Sequence, residues 1–578
     1  MKVAELIRHA MPEGTRGKGR WRDCPWWPPD LFAVTALLAE RTTAYTILLS
    51  AYGRTCELCT EQRRTRLQQV ARSWRRDDWP VNGRYRKDKA YLQKLWDRLF
   101  NCQSEVCPSE RASLTEILPD DWRLAALELM IIADLASAGV GFYPSKDSDE
   151  RLNWIKRGFL VGGFEGASTH DERARGSSPS YQAQHANFNA CKFVTPAVAC
   201  VQPKTRTPRV GCTLRSLSHH LALLPPDGTV RARWNVYEHK MERADSHVFN
   251  LLAVPFPYSV RGSSFVNQDS ISEHGQGLFA VRQTWLKAVP KEAFAAFVMQ
   301  LIAAAKREVQ HVDGIVFPEM ALDGGTYEAL VNELMQAGDN RVQVLVAGVL
   351  GGGEQPAGSF NNAAATTVFC QDEANVCFFS MQKKHHRWKL DSSQIIQYSL
   401  GEALDPEIDW WENARIDNRD MMFYVFRKGA CFTTLVCEDL ARADPGQQVI
   451  RAIGPNIVIA LLMDGPQLGA RWPGRYAMGL ADDPGSSVLS LTSLGLVLRS
   501  NLHYGTNSRA VGLWRDATSG TRQLDLPAGS QALLLSLTSR CTTEYTLDGR
   551  SDGGHAYEWV LSGCLPVRCD KVPSWASN

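Results

Sequence analysis

The chain has 578 residues, with 64 Lys and Arg against 62 Asp and Glu, 44% hydrophobic and 22% charged. This is the composition of a soluble globular protein too long for one ordinary core, so two or three domains are expected. A net charge of +2 gives no global attraction to nucleic acid or to a membrane surface, so any basic surface must be local. The opening stretch, MKVAELIRHAMPEGTRGKGRWRD, lacks the apolar core and small-residue cleavage site of a secretory signal, and no apolar run is long enough to span a bilayer. A cytoplasmic protein is expected. The fifteen cysteines then read as buried thiols, metal ligands or nucleophiles rather than as a disulfide framework.

Residues 1–245 read as a mainly helical region rich in Trp and Arg. PPDLFAVTALLAERTTAYTILLSAYG starts on prolines suited to a first turn and carries apolar residues at helical spacing. DDWRLAALELMIIADLASAGVGFY does the same behind Asp120 and Asp121 and stops near Gly139. Between them, EQRRTRLQQVARSWRRDDWPVNGRYRKDKAYLQKLW is a basic helical segment with interleaved aromatics. It reads first as a solvated helix face, because Glu61, Asp77, Asp78 and Asp88 interrupt the charge, and second as a nucleic-acid surface. Cys56 and Cys59, with Cys102 and Cys107, have the types and approximate spacing of a structural zinc site; buried thiols on helices are the competing reading. A linker is expected near 168–188, and TPRVGCTLRSLSHHLALLPPDGTV reads as a short helix closed by Pro225 and Pro226, with His219 and His220 as packing or capping residues.

From residue 246 to 578 strands alternate with helices. HVFNLLAVPFPYSV, VDGIVFPEM, NRVQVLVAGVLGGG, FNNAAATTVFC, VCFFSMQKK, KGACFTTLVC and NIVIALLMD are strand candidates, and KEAFAAFVMQLIAAAKREV is an amphipathic helix. Continuous apolar strands linked partly through helices indicate a sheet covered by helices, an α/β domain. Charged or nucleophilic residues stand where several of these runs end. Glu319 follows GIVFP, as a cap for ALDGGTYEALVNEL or as a general base. Lys383 and Lys384 precede His385 and His386, Glu402 follows SLG, and Cys437 closes FTTLV ahead of Glu438 and Asp439. Each alone has a bland reading: a strand end, a surface pair or a buried thiol.

In this order the motifs VFPEM, KHH, SLGEALDP and LVCEDLAR resemble the nitrilase, or carbon–nitrogen hydrolase, superfamily over about residues 246–540. The resemblance implies an αββα sandwich and a cofactor-free hydrolase of amides or nitriles. Cys437 is then the nucleophile, Glu319 the base, Lys384 the oxyanion-stabilising cation (with Lys383 one register earlier as the alternative) and Glu402 the second carboxylate. It places Met463, Asp464 and His386 beside the substrate. It also implies a homo-oligomer, with DPGQQVIRAIG and YEWVLSGCLPV as contact surfaces. Ala481 and Asp482, and the stretch SLTSLG, depart from the family's usual Ala-Glu and Asn-rich patterns, which leaves the substrate wall open. Large nitrilase-like proteins with such extensions also resemble those associated with bacterial antiviral systems. Two competing functions remain: a nitrilase-like module that binds a ligand or partner without turnover, and glutamine-dependent ammonia supply to a partner, for which no synthetase signature is visible.

Overall fold

The computed structural model describes residues 1–16, 19–49, 56–76, 79, 82–106, 122–140, 189–226, 230–236, 246–268, 275–337, 342–351, 361–369, 376–416, 419–427 and 430–577. The expected linker at 168–188 and Cys107 lie outside these residues. The helical N-terminal region contains α1 (Val3–Ala10), α2 (Pro28–Thr42), α3 (Glu61–Trp74), α4 (Arg86–Phe100) and α5 (Trp122–Ala136). Two prolines occupy the first turn of α2, where no N–H is needed, and Thr43 ends the helix in the left-handed region at φ 51°. Helices α3 and α4 pack on α5 and are tied together by Arg66 and Asp88 at 3.0 Å.

The segment expected as a helix around His219 is different. Only a single 3₁₀ turn forms over Leu214–Leu217, and Leu221–Leu224 (β2) pairs antiparallel with Cys200–Pro203 (β1). The buried Asp134 carboxylate accepts from the backbone N–H groups of His219, His220 and Leu221 at 2.9 to 3.0 Å, which holds that backbone in an extended path.

The remaining strands are β3 (Arg231–Val236), β4 (Val248–Ala253), β5 (Phe265–Asn267), β6 (Gln276–Val281), β7 (Gly314–Asp323), β8 (Val344–Leu350), β9 (Asn362–Phe369), β10 (Val376–Lys383), β11 (Lys389–Leu390), β12 (Asp409–Glu412), β13 (Asp420–Arg427), β14 (Ala430–Val436), β15 (Ile457–Leu461), β16 (Ser487–Leu491), β17 (Ala510–Asp516), β18 (Gly520–Asp525), β19 (Ala532–Thr542) and β20 (Ala556–Val567). They form a seven-stranded sheet ordered β10-β9-β8-β7-β4-β19-β20, another ordered β18-β17-β16-β15-β14-β13-β3, and a four-stranded sheet ordered β11-β12-β6-β5. Helices α6 (Lys291–Ala305) and α7 (Gly324–Gln336) pack with the first large sheet, and α8 (Ser392–Gln397) follows β11. Beyond β14 come the short α9 (Glu438–Ala441), α10 (Gln448–Ile453), α11 (Trp472–Asp482) and α12 (Leu494–Tyr504).

The alternation of side chains along β13 shows why the sandwich has four layers. Met422, Tyr424 and Phe426 join Phe249, Leu251 and Val316 of the first sheet in one core, whereas Met421, Phe423 and Val425 join α10 and α11 in another. Both faces are buried, so the strand reads as an unbroken apolar run. The layers are helix, sheet, sheet, helix: an αββα sandwich. Its second outer layer also merges with the N-terminal region, because Leu31, Leu38, Val201 and Leu224 share the core of Val449, Ile450 and Ile453 on α10. Strand β3, upstream of residue 246, completes the second sheet by pairing in parallel with β13, and its Trp234 stacks on Phe423 at 5.3 Å. Thus α10, one of the two expected oligomer surfaces, has its apolar face covered by the chain's own N-terminal region, while β20 is an edge strand. Among the described residues no helix is long and apolar enough to cross a membrane.

Candidate active site

Four loops converge at one end of the sandwich. Strand β7 pairs with β8 up to Phe317, skips, and resumes at Leu322, so that Pro318, Glu319 and Met320 bulge out of register. Met320 takes φ 55°, and a Cβ on Gly348 of β8 would lie 2.3 Å from the Pro318 carbonyl and 2.4 Å from Cα of Glu319. Only glycine permits the bulge that turns Glu319 into the interior. The cap of the following helix is Asp323, whose Oδ1 accepts from the Thr326 N–H at 2.7 Å, so Glu319 is released from that task.

Lys384 follows the last residue of β10 and is 2% exposed. Its Nζ donates to Oε1 of Glu319 at 2.9 Å and to Oε2 of Glu412 at 2.6 Å. Asn362, which opens β9, donates its side-chain N–H groups to the same two carboxylates, at 2.7 Å to Glu319 and 2.8 Å to Glu412. The Trp388 N–H adds a further bond to Glu412 at 3.0 Å. Of the two lysines considered, Lys384 is therefore the one that meets Glu319. The second carboxylate in the cluster is Glu412, at the end of β12. Glu402 sits exposed on the turn after Leu400 and does not join the cluster, which corrects the expectation for that residue. SLGEAL supplies the motif but ends in a turn; the paired tryptophans of DWWE build the strand that carries a glutamate inward.

Cys437 ends β14 at φ 46° and ψ −102°, a conformation that L side chains rarely adopt. Its N–H donates to the Leu461 carbonyl at 2.8 Å, which fixes the elbow against β15. Burial pushes the thiol well above its ordinary pKa and the Glu319 carboxylate raises it further, while the Lys384 ammonium and a hydrogen bond from the Met463 backbone pull the other way. The resting sulfur is a thiol. Burial likewise raises Glu319 against the lowering effect of Lys384. For Lys384, burial alone favours the neutral amine, but Glu319 and Glu412 outweigh it and keep the group an ammonium well above its usual pKa.

Two vacant hydrogen-bonding positions define what the cluster can do. Oε2 of Glu319 is buried with no hydrogen-bond partner. The third N–H of Lys384 is unused after its two carboxylate bonds, since an ammonium has three donors. A carboxylate oxygen able to take a proton and a cationic donor able to meet new negative charge thus stand beside a buried thiol. Moving the thiol proton to Glu319 leaves the net charge of the cluster unchanged, so no additional charge is buried in the step.

Asp439, two residues beyond Cys437 and 1% exposed, accepts the His385 N–H at 3.0 and 3.1 Å and Nδ1 of His386 at 3.0 Å. It ties the cysteine turn to the lysine turn, and the acidic residue after LVCE thereby has a structural assignment. His386, expected beside the substrate, is engaged with Asp439. Met463 lies in an apolar cluster with Met320, Trp388 and Tyr398. The Asp464 carboxylate is held by the Tyr398 hydroxyl, by Arg471 at 2.9 Å and by Gln467 at 3.2 Å. Sequence reading missed Glu412, Asn362 and the anchoring role of Asp439.

Of the four cysteines, Cys56, Cys59 and Cys102 are among the described residues. Cys56 and Cys59 are hydrogen-bonded neighbours, and the bond from Cys59 lowers the Cys56 thiol to about 7. Cys102, at the end of α4, accepts from the Ser104 N–H. No group of three or more metal-ligating side chains occurs among the described residues.

No family model and no curated protein matches this sequence. Solved structures do. A mutant of the amidase from Nesterenkonia sp. AN1, carrying the product of Michael addition of acrylamide at its active-site cysteine, is 11% identical with a TM-score of 0.30, over 50% of this chain and 92% of that one. A carbon–nitrogen hydrolase from Helicobacter pylori is 9% identical with a TM-score of 0.29, over 55% of this chain and 89% of its own. Saccharomyces cerevisiae Nit3, a member of branch 10 of the nitrilase superfamily, is 10% identical with a TM-score of 0.27, over 57% and 92%. These likenesses cover 50–57% of this chain at 9–11% identity.

Proposed function

We propose that the chain is a hydrolase of a non-peptide C–N bond, an amide or nitrile, working through a thioester on Cys437. The observation that carries this reading is the vacant Oε2 of Glu319 next to a buried thiol, in a carboxylate pair bridged by Lys384. Sulfur attacks the carbonyl or nitrile carbon as its proton passes to Glu319. The third N–H of Lys384 meets the developing negative charge, a contribution of about 3 kcal/mol for one such donor. For an amide, Glu319 then returns the proton to the leaving nitrogen, and ammonia or an amine departs; a nitrile gives a thioimidate, which takes up one water and releases ammonia to reach the same thioester. Water, deprotonated by the same carboxylate, cleaves the thioester and regenerates the thiol. Glu412 holds Lys384, and Asn362 spaces the two carboxylates. The metal-free chemistry needs nothing beyond these groups.

Mass spectrometry after exposure to a panel of amides and nitriles tests the reading: an acyl adduct confined to Cys437 is expected, and Glu319→Gln protein should acquire it far more slowly. A folded protein that never acquires the adduct, and whose biological activity survives Cys437→Ala, would favour the binding-module alternative. An antiviral setting and a homo-oligomer remain proposals that rest on the resemblance alone, with oligomeric state read by light scattering. A structural zinc on Cys56, Cys59, Cys102 and Cys107 is supported by the Cys56–Cys59 pair and is tested by elemental analysis of the purified protein.

A further inference from the structure

A cavity of about 530 Å³ lies where the N-terminal region meets α10. Its volume falls within the roughly 300–1,000 Å³ of small-molecule sites. The floor is apolar: Phe32 and Leu37 from α2, Val198, Leu214, and Ala222 and Leu224 of β2. The rim is cationic. Arg41 stands at the end of α2, and Arg215 and Arg451 approach from opposite parts of the chain.

The two arginines from the 3₁₀ turn and from α10 share one carboxylate. Arg215 binds Asp483 through both terminal nitrogens at 2.6 and 2.8 Å, and Nη1 of Arg451 reaches the same carboxylate at 2.9 Å. Two guanidiniums against one carboxylate leave an excess positive charge. Arg451 spends only Nη1 on Asp483, and its side chain is 34% exposed. Glu40 is the one acidic side chain of the lining and has Arg41 next to it. Arg215 and Arg451 therefore share one carboxylate beside an apolar floor. Lys204 is a different case: its Nζ is saturated by the Arg215 and Ser218 carbonyls and the Ser218 hydroxyl, so it shapes the wall rather than offering a donor.

We propose that this cavity is a binding site for a small amphipathic anion, one with an aromatic or aliphatic body for the floor and a carboxylate, sulfonate or phosphate for Arg451 and its neighbours. The apolar part displaces water from the floor, and the anionic end supplies the counter-charge that Asp483 provides only in part. The walls come from both the N-terminal region and α10, so an occupant links the two.

The probe is 8-anilinonaphthalene-1-sulfonate, titrated into the full chain and followed by fluorescence, with N-phenyl-1-naphthylamine as the same ring system without the sulfonate. A saturable single site at least tenfold tighter for the sulfonate is expected. Arg451→Glu should weaken that site at least tenfold, and Thr213→Trp, which places a ring in the opening from a half-buried loop position, should remove it. Circular dichroism identifies the variants that keep the fold. Equal binding of the neutral compound, or unchanged sulfonate binding by folded Thr213→Trp protein, would overturn the proposal.

Discussion

Two buried ionic clusters in this protein each hold one cation between two carboxylates and differ in how completely those groups are hydrogen-bonded. At the junction with the N-terminal region, Arg550 donates Nε to Asp548 at 2.8 Å, Nη1 to Asp134 at 3.3 Å and Nη2 to the Leu217 carbonyl at 2.6 Å. Asp134 fills both its oxygens with backbone N–H groups as well. At the sandwich end, Lys384 is pinned between Glu319 and Glu412, yet Oε2 of Glu319 is left without a partner beside a cysteine in strained backbone. A saturated cluster has nothing further to bind and serves as a fastener. Burial of charge is thus common to both, and incomplete satisfaction is what distinguishes the cluster proposed to react.

Substitutions that empty the unsaturated cluster should have the largest effects on turnover and small ones on folding. Cys437→Ala should lower kcat/KM by at least about 10⁴-fold, since no sulfur remains for the thioester. Glu319→Gln should cost on the order of 10³-fold or more, because the amide takes no proton from the thiol. On the proposed mechanism Glu319 must be ionised to take the thiol proton, and burial raises its pKa. Activity should therefore fall as pH falls, with a midpoint above the ordinary glutamate value of roughly 4.3. Stopped assays across pH on a substrate found by the adduct screen read all three; an acid limb at or below that value would contradict the burial of Glu319.

The two glutamates ten residues apart give a sharper contrast. Glu412→Gln removes one of the two charges that keep Lys384 an ammonium and should reduce kcat by roughly 10²-fold with little change in KM. Glu402→Gln alters an exposed turn and should leave kcat within about twofold. Equal losses from both would mean that the turn carrying Glu402 reaches the substrate.

The saturated cluster should respond the other way. Asp134→Ala strands Arg550 and three backbone N–H groups in the interior, and the expected loss is roughly 3–5 kcal/mol of stability with activity per folded molecule unchanged. Denaturant titration beside active-site titration separates the two quantities. A loss of activity without a loss of stability would show that the N-terminal region shapes the reaction as well as fastening to it.

The proposed reactive residues were legible where an apolar run breaks at them: GIVFPE leads to Glu319, which the structure places in the bulge of β7, and FTTLVC leads to Cys437, which directly follows β14. Glu412 escaped notice because its strand is short and its partner strand, β6, lies more than a hundred residues upstream, so that no local pattern marks it. Asn362 stands near the head of the strand candidate FNNAAATTVFC with no local mark, and its place in the cluster comes only from the two carboxylates that the fold brings to it. The strand at Leu221–Leu224 was read as helix for a similar reason: its extended path is dictated by Asp134, some ninety residues earlier in the chain. Local periodicity reports burial and element type; it does not report which distant carboxylate will take the backbone N–H groups.

Asp439 lies between the two kinds of cluster and should show an effect between theirs. Its carboxylate is occupied, as at the junction, but its partners are the backbone of His385 and the ring of His386, which adjoin Lys384. It acts on the reaction by holding the lysine turn against the cysteine turn, so it is a positioning residue. Asp439→Asn keeps one acceptor oxygen and the volume, and kcat should fall about tenfold with KM nearly constant. Asp439→Ala frees the turn, and kcat should fall further, roughly 10²-fold, because misplacement by about 1 Å is enough for a loss of that size. A merely structural carboxylate would lower the melting temperature in both variants without this graded loss in kcat. If Asp439→Asn matched the native enzyme in kcat while Asp439→Ala only lost stability, the two turns would be held together by the fold alone and Asp439 would belong with the fasteners.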